Sequence, residues 1–79
     1  MISMKSIVQD LLLALNIEST KKGFSYNLQS ELVYSPKYNG LWRRQTIIQY
    51  KGNKLIKKNK VNTDINMIEF LSNEIKQYE

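Results

Sequence analysis

The stretch 41-LWRRQTIIQYKGNKLIKKNKV-61 decides the fold. It is dense in β-branched and aromatic residues and is broken once, at Lys51-Gly52-Asn53-Lys54. A two-residue Gly52-Asn53 loop between two such runs predicts a tight β-hairpin. With those two residues in the loop, Tyr50 is expected opposite Leu55, Ile48 opposite Lys57, Thr46 opposite Asn59 and Arg44 opposite Val61. The side bearing Trp42, Ile48, Tyr50, Leu55 and Val61 then reads as the core face, with Arg44 and Lys57 snorkelling past its edges. The opposite side pairs Gln49 with Ile56, Ile47 with Lys58 and Gln45 with Lys60, with Arg43 beyond them, and reads as an outward face.

Upstream, 24-FSYNLQSELVY-34 alternates. Phe24, Tyr26, Leu28, Leu32 and Tyr34 fall on one side and Ser25, Asn27, Gln29 and Glu31 on the other, the period of a half-buried strand. Ser35 to Gly40 form a loop, in which Pro36 cannot donate to a ladder and Asn39-Gly40 favours a turn. Earlier still, Met4, Ile7, Val8, Leu11, Leu12 and Leu15 recur at spacings of three and four. This is an amphipathic helix capped by Ser3 or Ser6, with Asn16, Lys21, Lys22 and Gly23 as signals for its end. After the hairpin, Thr63 is an N-cap and Asp64 suits the helix dipole. The stripe Ile65, Ile68, Leu71, Ile75 and Tyr78 carries a second helix to the C-terminus. The expected architecture is a single α+β domain over residues 1–79, in αβββα order. Its three-stranded antiparallel sheet has both helices packed on one face, because only one strand face is apolar enough to receive them.

Seventy-nine residues allow one core, whose stability margin is about 3–5 kcal/mol. The chain has no cysteine and no histidine. That removes disulfides, the commonest zinc ligands and the commonest nucleophiles and bases, so neither an enzyme nor a cofactor is expected. The apolar run Leu11 to Leu15 is too short for a signal core or a membrane span, and Gln9 and Asp10 interrupt it. No membrane association is expected, and the cytoplasm, or an organelle stroma or matrix, is the expected compartment. Abundant Asn, Lys and Ile point to an AT-rich coding sequence.

Charge locates the working surface. The net charge is +5, but residues 37–60 hold Lys37, Arg43, Arg44, Lys51, Lys54, Lys57, Lys58 and Lys60 and no acidic residue. The last helix carries Asp64, Glu69, Glu74 and Glu79 against Lys76 alone. Lysine and arginine neutralise phosphates, and Arg and Gln make bidentate contacts to base edges. The sequence therefore predicts a small non-enzymatic module that binds nucleic acid, DNA or RNA, through Arg43, Gln45, Ile47, Gln49, Lys51, Lys54, Ile56, Lys58 and Lys60. Tyr38 in the loop is free to stack on bases, whereas Trp42 is expected in the core. The rival reading is an accessory, adaptor or inhibitor protein of phage or organelle type that binds an acidic protein surface. Ile47 and Ile56, expected side by side on the outside, suit such a partner or a homodimer.

The αβββα order resembles the double-stranded RNA-binding domain, although Asn62 to Asn66 read Asn-Thr-Asp-Ile-Asn where that family has a lysine cluster. The stretch 40-GLWRRQTIIQYKGNKLIKKNKVNTDINMIEFL-71 is similar to the arm-binding domain of phage integrases. In that family the sheet face reads DNA, which here implies Arg43, Gln45, Gln49, Lys58 and Lys60.

Overall fold

The computed structural model describes residues 3–79; of the domain read above over residues 1–79, Met1 and Ile2 lie outside them. The order is α1 (Met4–Thr20), β1 (Phe24–Ser35), β2 (Gly40–Lys51), β3 (Lys54–Lys60) and α2 (Asp64–Lys76). The strands form one antiparallel sheet in the order β1-β2-β3. This is the αβββα, α+β arrangement expected from the sequence.

Local chemistry explains the boundaries. Ser3 Oγ accepts from the Ser6 amide at 3.2 Å, and Thr63 Oγ1 accepts from the Asn66 amide at 3.2 Å, so each helix starts on a capping side chain. Asn16 does not end α1, which continues to Thr20 before Gly23 turns the chain with φ +87°. Instead, the Asn16 amide pairs with the outer edge of β1: Nδ2 donates to the Tyr26 carbonyl at 3.0 Å, and Oδ1 accepts from the Tyr26 amide at 2.8 Å. At Gly52 a φ of +61° gives the hairpin its tight two-residue turn, setting Lys51 opposite Lys54 and Tyr50 opposite Leu55 as expected.

Beyond that turn the register departs from expectation. A bulge between Gln49 and Tyr50 leaves Ile56 without an opposite residue, so Gln49 faces Lys57 and Ile48 faces Lys58. The faces of β2 are also reversed. The turn over residues 36–39 sets Ser35 opposite Gly40, which places Tyr26 beside Gln49 and Leu28 beside Ile47. Ile47 is therefore in the core with Val8, Leu15, Tyr26, Val61, Met67 and Leu71. Of the residues expected in the core, Val61 is there, but Trp42, Ile48, Tyr50 and Leu55 belong to the other face, together with Arg44.

The sheet is longer than the layer that covers it. Twelve residues of β1 extend about 40 Å, whereas the seventeen of α1 rise only about 25 Å. Since β3 pairs only with residues 46–51, the far part of β1 and β2, residues 31–44, projects as a two-stranded arm.

Candidate nucleic-acid interface

The nine residues singled out from the sequence do not share one surface. Ile47 is fully buried under the helices. Gln45 and Gln49 flank it on the helix side and are half-buried. Gln49 Nε2 donates to the Tyr78 hydroxyl at 3.4 Å, and the Gln45 backbone N–H donates to Asn62 Oδ1 at 3.2 Å. Arg43 is on the same side, donating to Ser30 Oγ at 2.8 Å. Lys51 lies over the Phe24 ring, with Nζ 5.5 Å from its centroid, and Lys54 stands opposite it. Ile56 is the exposed residue of the bulge.

Lys58 and Lys60 do lie on the open face, for a reason different from the expected one. Reversing β2 alone would have carried their partners to the other side. The bulge shifts β3 by one residue and restores them, so that Lys58 sits beside Ile48 and Lys60 beside Thr46.

Strand alternation builds the rest of this face. From β2 come Trp42, Arg44, Thr46, Ile48 and Tyr50; from β1 come Asn27, Gln29 and Glu31, as the alternation of that strand predicted. Ile48 is only 2% exposed, sheltered by Asn27 and Lys58 on either side and by Thr46 and Tyr50 along its own strand. Trp42 keeps 37% of its surface in solvent. Arg44 Nε donates to Glu31 Oε1 at 2.9 Å, so the one acidic side chain on the described strands is already paired. What remains is a platform of aromatic, amide and hydroxyl groups with two free lysines along one border.

The opposite face is polar in a different way. The Tyr26 hydroxyl donates to Glu74 Oε2 at 2.9 Å and shares a hydrogen bond of 2.8 Å with the Tyr78 hydroxyl. Burial, followed by those two hydrogen bonds, holds the Tyr26 phenol far above the ordinary tyrosine range. This cluster ties β1 to the end of α2 and faces away from the platform. Among the described residues no group of three or more acidic side chains is placed to hold a metal ion, and no helix is long and apolar enough to cross a membrane.

The platform residues on β2 escaped the sequence reading because Trp42, Ile48 and Tyr50 look like core. The signal that locates them is the length of the Pro36–Asn39 turn, which fixes their parity against Tyr26 and Leu28. Compared with protein-family models, with curated proteins and with solved structures, the chain matches none.

Proposed function

We propose that this domain binds nucleic acid through the open face of its sheet. The observation that carries the reading is the row of Lys58 beside Ile48 and Lys60 beside Thr46, continued along β2 by Arg44 and Trp42, on the face opposite both helices. Lysines supply phosphate contacts, Thr46, Asn27 and Gln29 supply hydrogen bonds to base edges, and Trp42 offers a ring for stacking. Dimensions favour a duplex. The two-stranded β2–β3 ribbon, about 5 Å between axes, fits a major groove about 12 Å wide. Segregated charge supports the same orientation: apart from the paired Glu31, every acidic residue lies on the helices or at the C-terminus.

Fluorescence anisotropy with labelled duplex and single-stranded oligonucleotides tests the reading. Affinity is expected to fall steeply between about 50 and about 200 mM salt. Lys58→Glu with Lys60→Glu removes two phosphate contacts, which lowers the duplex salt slope by about 1.8. Both side chains are exposed, so the circular dichroism spectrum stays unchanged. Equal affinity in the double variant, or no binding of either probe at low salt, rejects the proposal.

A further inference from the structure

We propose that the arm closes on a second copy of this chain, each arm lying across the outer surface of its partner's helices. The arm's helix-side face continues the row of Tyr26 and Leu28 into solvent. There Leu32 is 61% exposed, Tyr34 58% and Leu41 67%, with Tyr38 at the tip. A run this apolar beyond the end of the helix layer is a core face with nothing above it. The layer ends at a cavity of about 250 Å³ where Lys5, Val8 and Asp64 meet Leu28, Arg43 and Gln45.

The chain carries a complementary surface. On the outside of the helices Leu13 and Ile17 are more than half exposed, as is Ile65 at the start of α2. A shallow apolar groove runs between the helices past Ala14, Ile17 and Ile75. Charge matches as well: the arm's helix-side face and turn hold Arg43 and Lys37 and no acidic residue, while α1 and α2 hold Asp10, Glu18, Asp64 and Glu69, besides the Glu74 bound to Tyr26, against Lys5 and Lys76. Basic and apolar therefore meets acidic and apolar, which argues for arm on helix rather than arm on arm.

Geometry permits both contacts at once. Helices stack about 10 Å from a neighbouring layer, so a copy inverted about a twofold axis places its helices over the first arm, in the same layer as the first copy's helices. Both helices begin at the arm end, as the cavity lining shows. An overhang of about 20 Å then reaches from the partner's Met4 past Leu13 to Ile17, at about 1.5 Å per helical residue. Each arm offers a footprint of about 20 by 10 Å, so the reciprocal pair buries an area near or below the roughly 1,200 Å² that marks small specific interfaces. The expected dimer is weak, concentration-dependent and salt-sensitive, and it leaves both open sheet faces outward.

Sedimentation equilibrium on the full chain tests this. The wild type is expected to show a monomer–dimer equilibrium that weakens with salt. Leu32→Asp with Leu41→Asp, and separately Leu13→Asp with Ile17→Asp, each weaken it by at least about tenfold. All four side chains are more than half exposed, so each variant keeps its fold by circular dichroism. Mixing the two variants restores one intact arm–helix contact and so recovers part of the association. A wild type that stays monomeric, a dimer indifferent to the helix pair, or growth into longer oligomers overturns the proposal. Oligonucleotide affinity of the helix variant, measured on monomers, is expected to be unchanged, because Leu13 and Ile17 lie on α1 away from the open face, which separates this result from the fate of that face.

Discussion

Ile47 and Ile48 are adjacent on β2 and both closed off from water, at 0% and 2% exposure, yet they belong to opposite faces. Ile47 stands beside Leu28 in the cluster under the helices, where a truncation leaves a cavity that rigid elements cannot fill. Ile48 is covered by polar side chains that can move. Ile47→Ala is expected to cost about 2–5 kcal/mol, with Ile48→Ala costing clearly less. Urea denaturation of the two variants reads the difference in midpoint. An equal or reversed order would mean that the faces of β2 are assigned the wrong way round.

This pair also shows where the sequence was legible. β1 reads cleanly because one side is aromatic and aliphatic and the other polar, so its faces follow from alternation alone. β2 has an isoleucine on each face and more large apolar side chains on the open one, so counting apolar residues selects the wrong side. Only coupling to β1 through the Pro36–Asn39 turn resolves it, since Leu28 must stand beside Ile47. The bulge at Ile56 has no local marker: no glycine stands there, and the preceding Gly52 turn has the expected geometry. Lys58 and Lys60 were placed on the open face by two misreadings that cancel. Asn16 looked like a helix terminator because its polar side chain breaks the apolar stripe, but its role is to pair with the Tyr26 backbone.

The cluster of the Tyr26 and Tyr78 hydroxyls with the Glu74 carboxylate makes stability pH-dependent on the alkaline side. Burial and hydrogen bonding raise the folded phenol, while in the unfolded chain it ionises near its usual value of about 10. A raised folded value means that the contribution is fully present below that pH and is lost as pH rises above it, because the unfolded state sheds the proton first. Stability is expected to fall by up to about 1.4 kcal/mol per pH unit beyond pH 10 from this group. Tyr26→Phe removes that part of the slope and costs about 1 kcal/mol at neutral pH. Denaturation midpoints from neutral to strongly alkaline pH compare the two proteins.

Ser19, near the end of α1, is fully buried, and among the described residues its Oγ has no hydrogen-bond partner. An unpaired buried hydroxyl costs about 1–3 kcal/mol, and alanine is the better helix former. Ser19→Ala is therefore expected to stabilise the domain by about 1 kcal/mol, seen as a higher thermal midpoint. A lower midpoint would show that the hydroxyl is satisfied.

The Arg44–Glu31 pair restrains the proposed interface. With Arg44 one-third and Glu31 nearly two-thirds exposed, it adds at most about 1 kcal/mol to stability, so its removal leaves the thermal midpoint nearly unchanged. In binding, the same carboxylate has two adverse effects: it occupies the guanidinium and it repels a phosphate. Glu31→Gln keeps the shape, frees Arg44 and adds one cation to the row of Lys58 and Lys60. Oligonucleotide affinity is expected to rise, and the duplex salt slope to steepen by about 0.9, one phosphate contact. Arg44→Gln in the same background should return both quantities to the wild-type level or below. Unchanged affinity and slope in Glu31→Gln would place Arg44 outside the contact surface and confine the interface to the β3 side of the sheet.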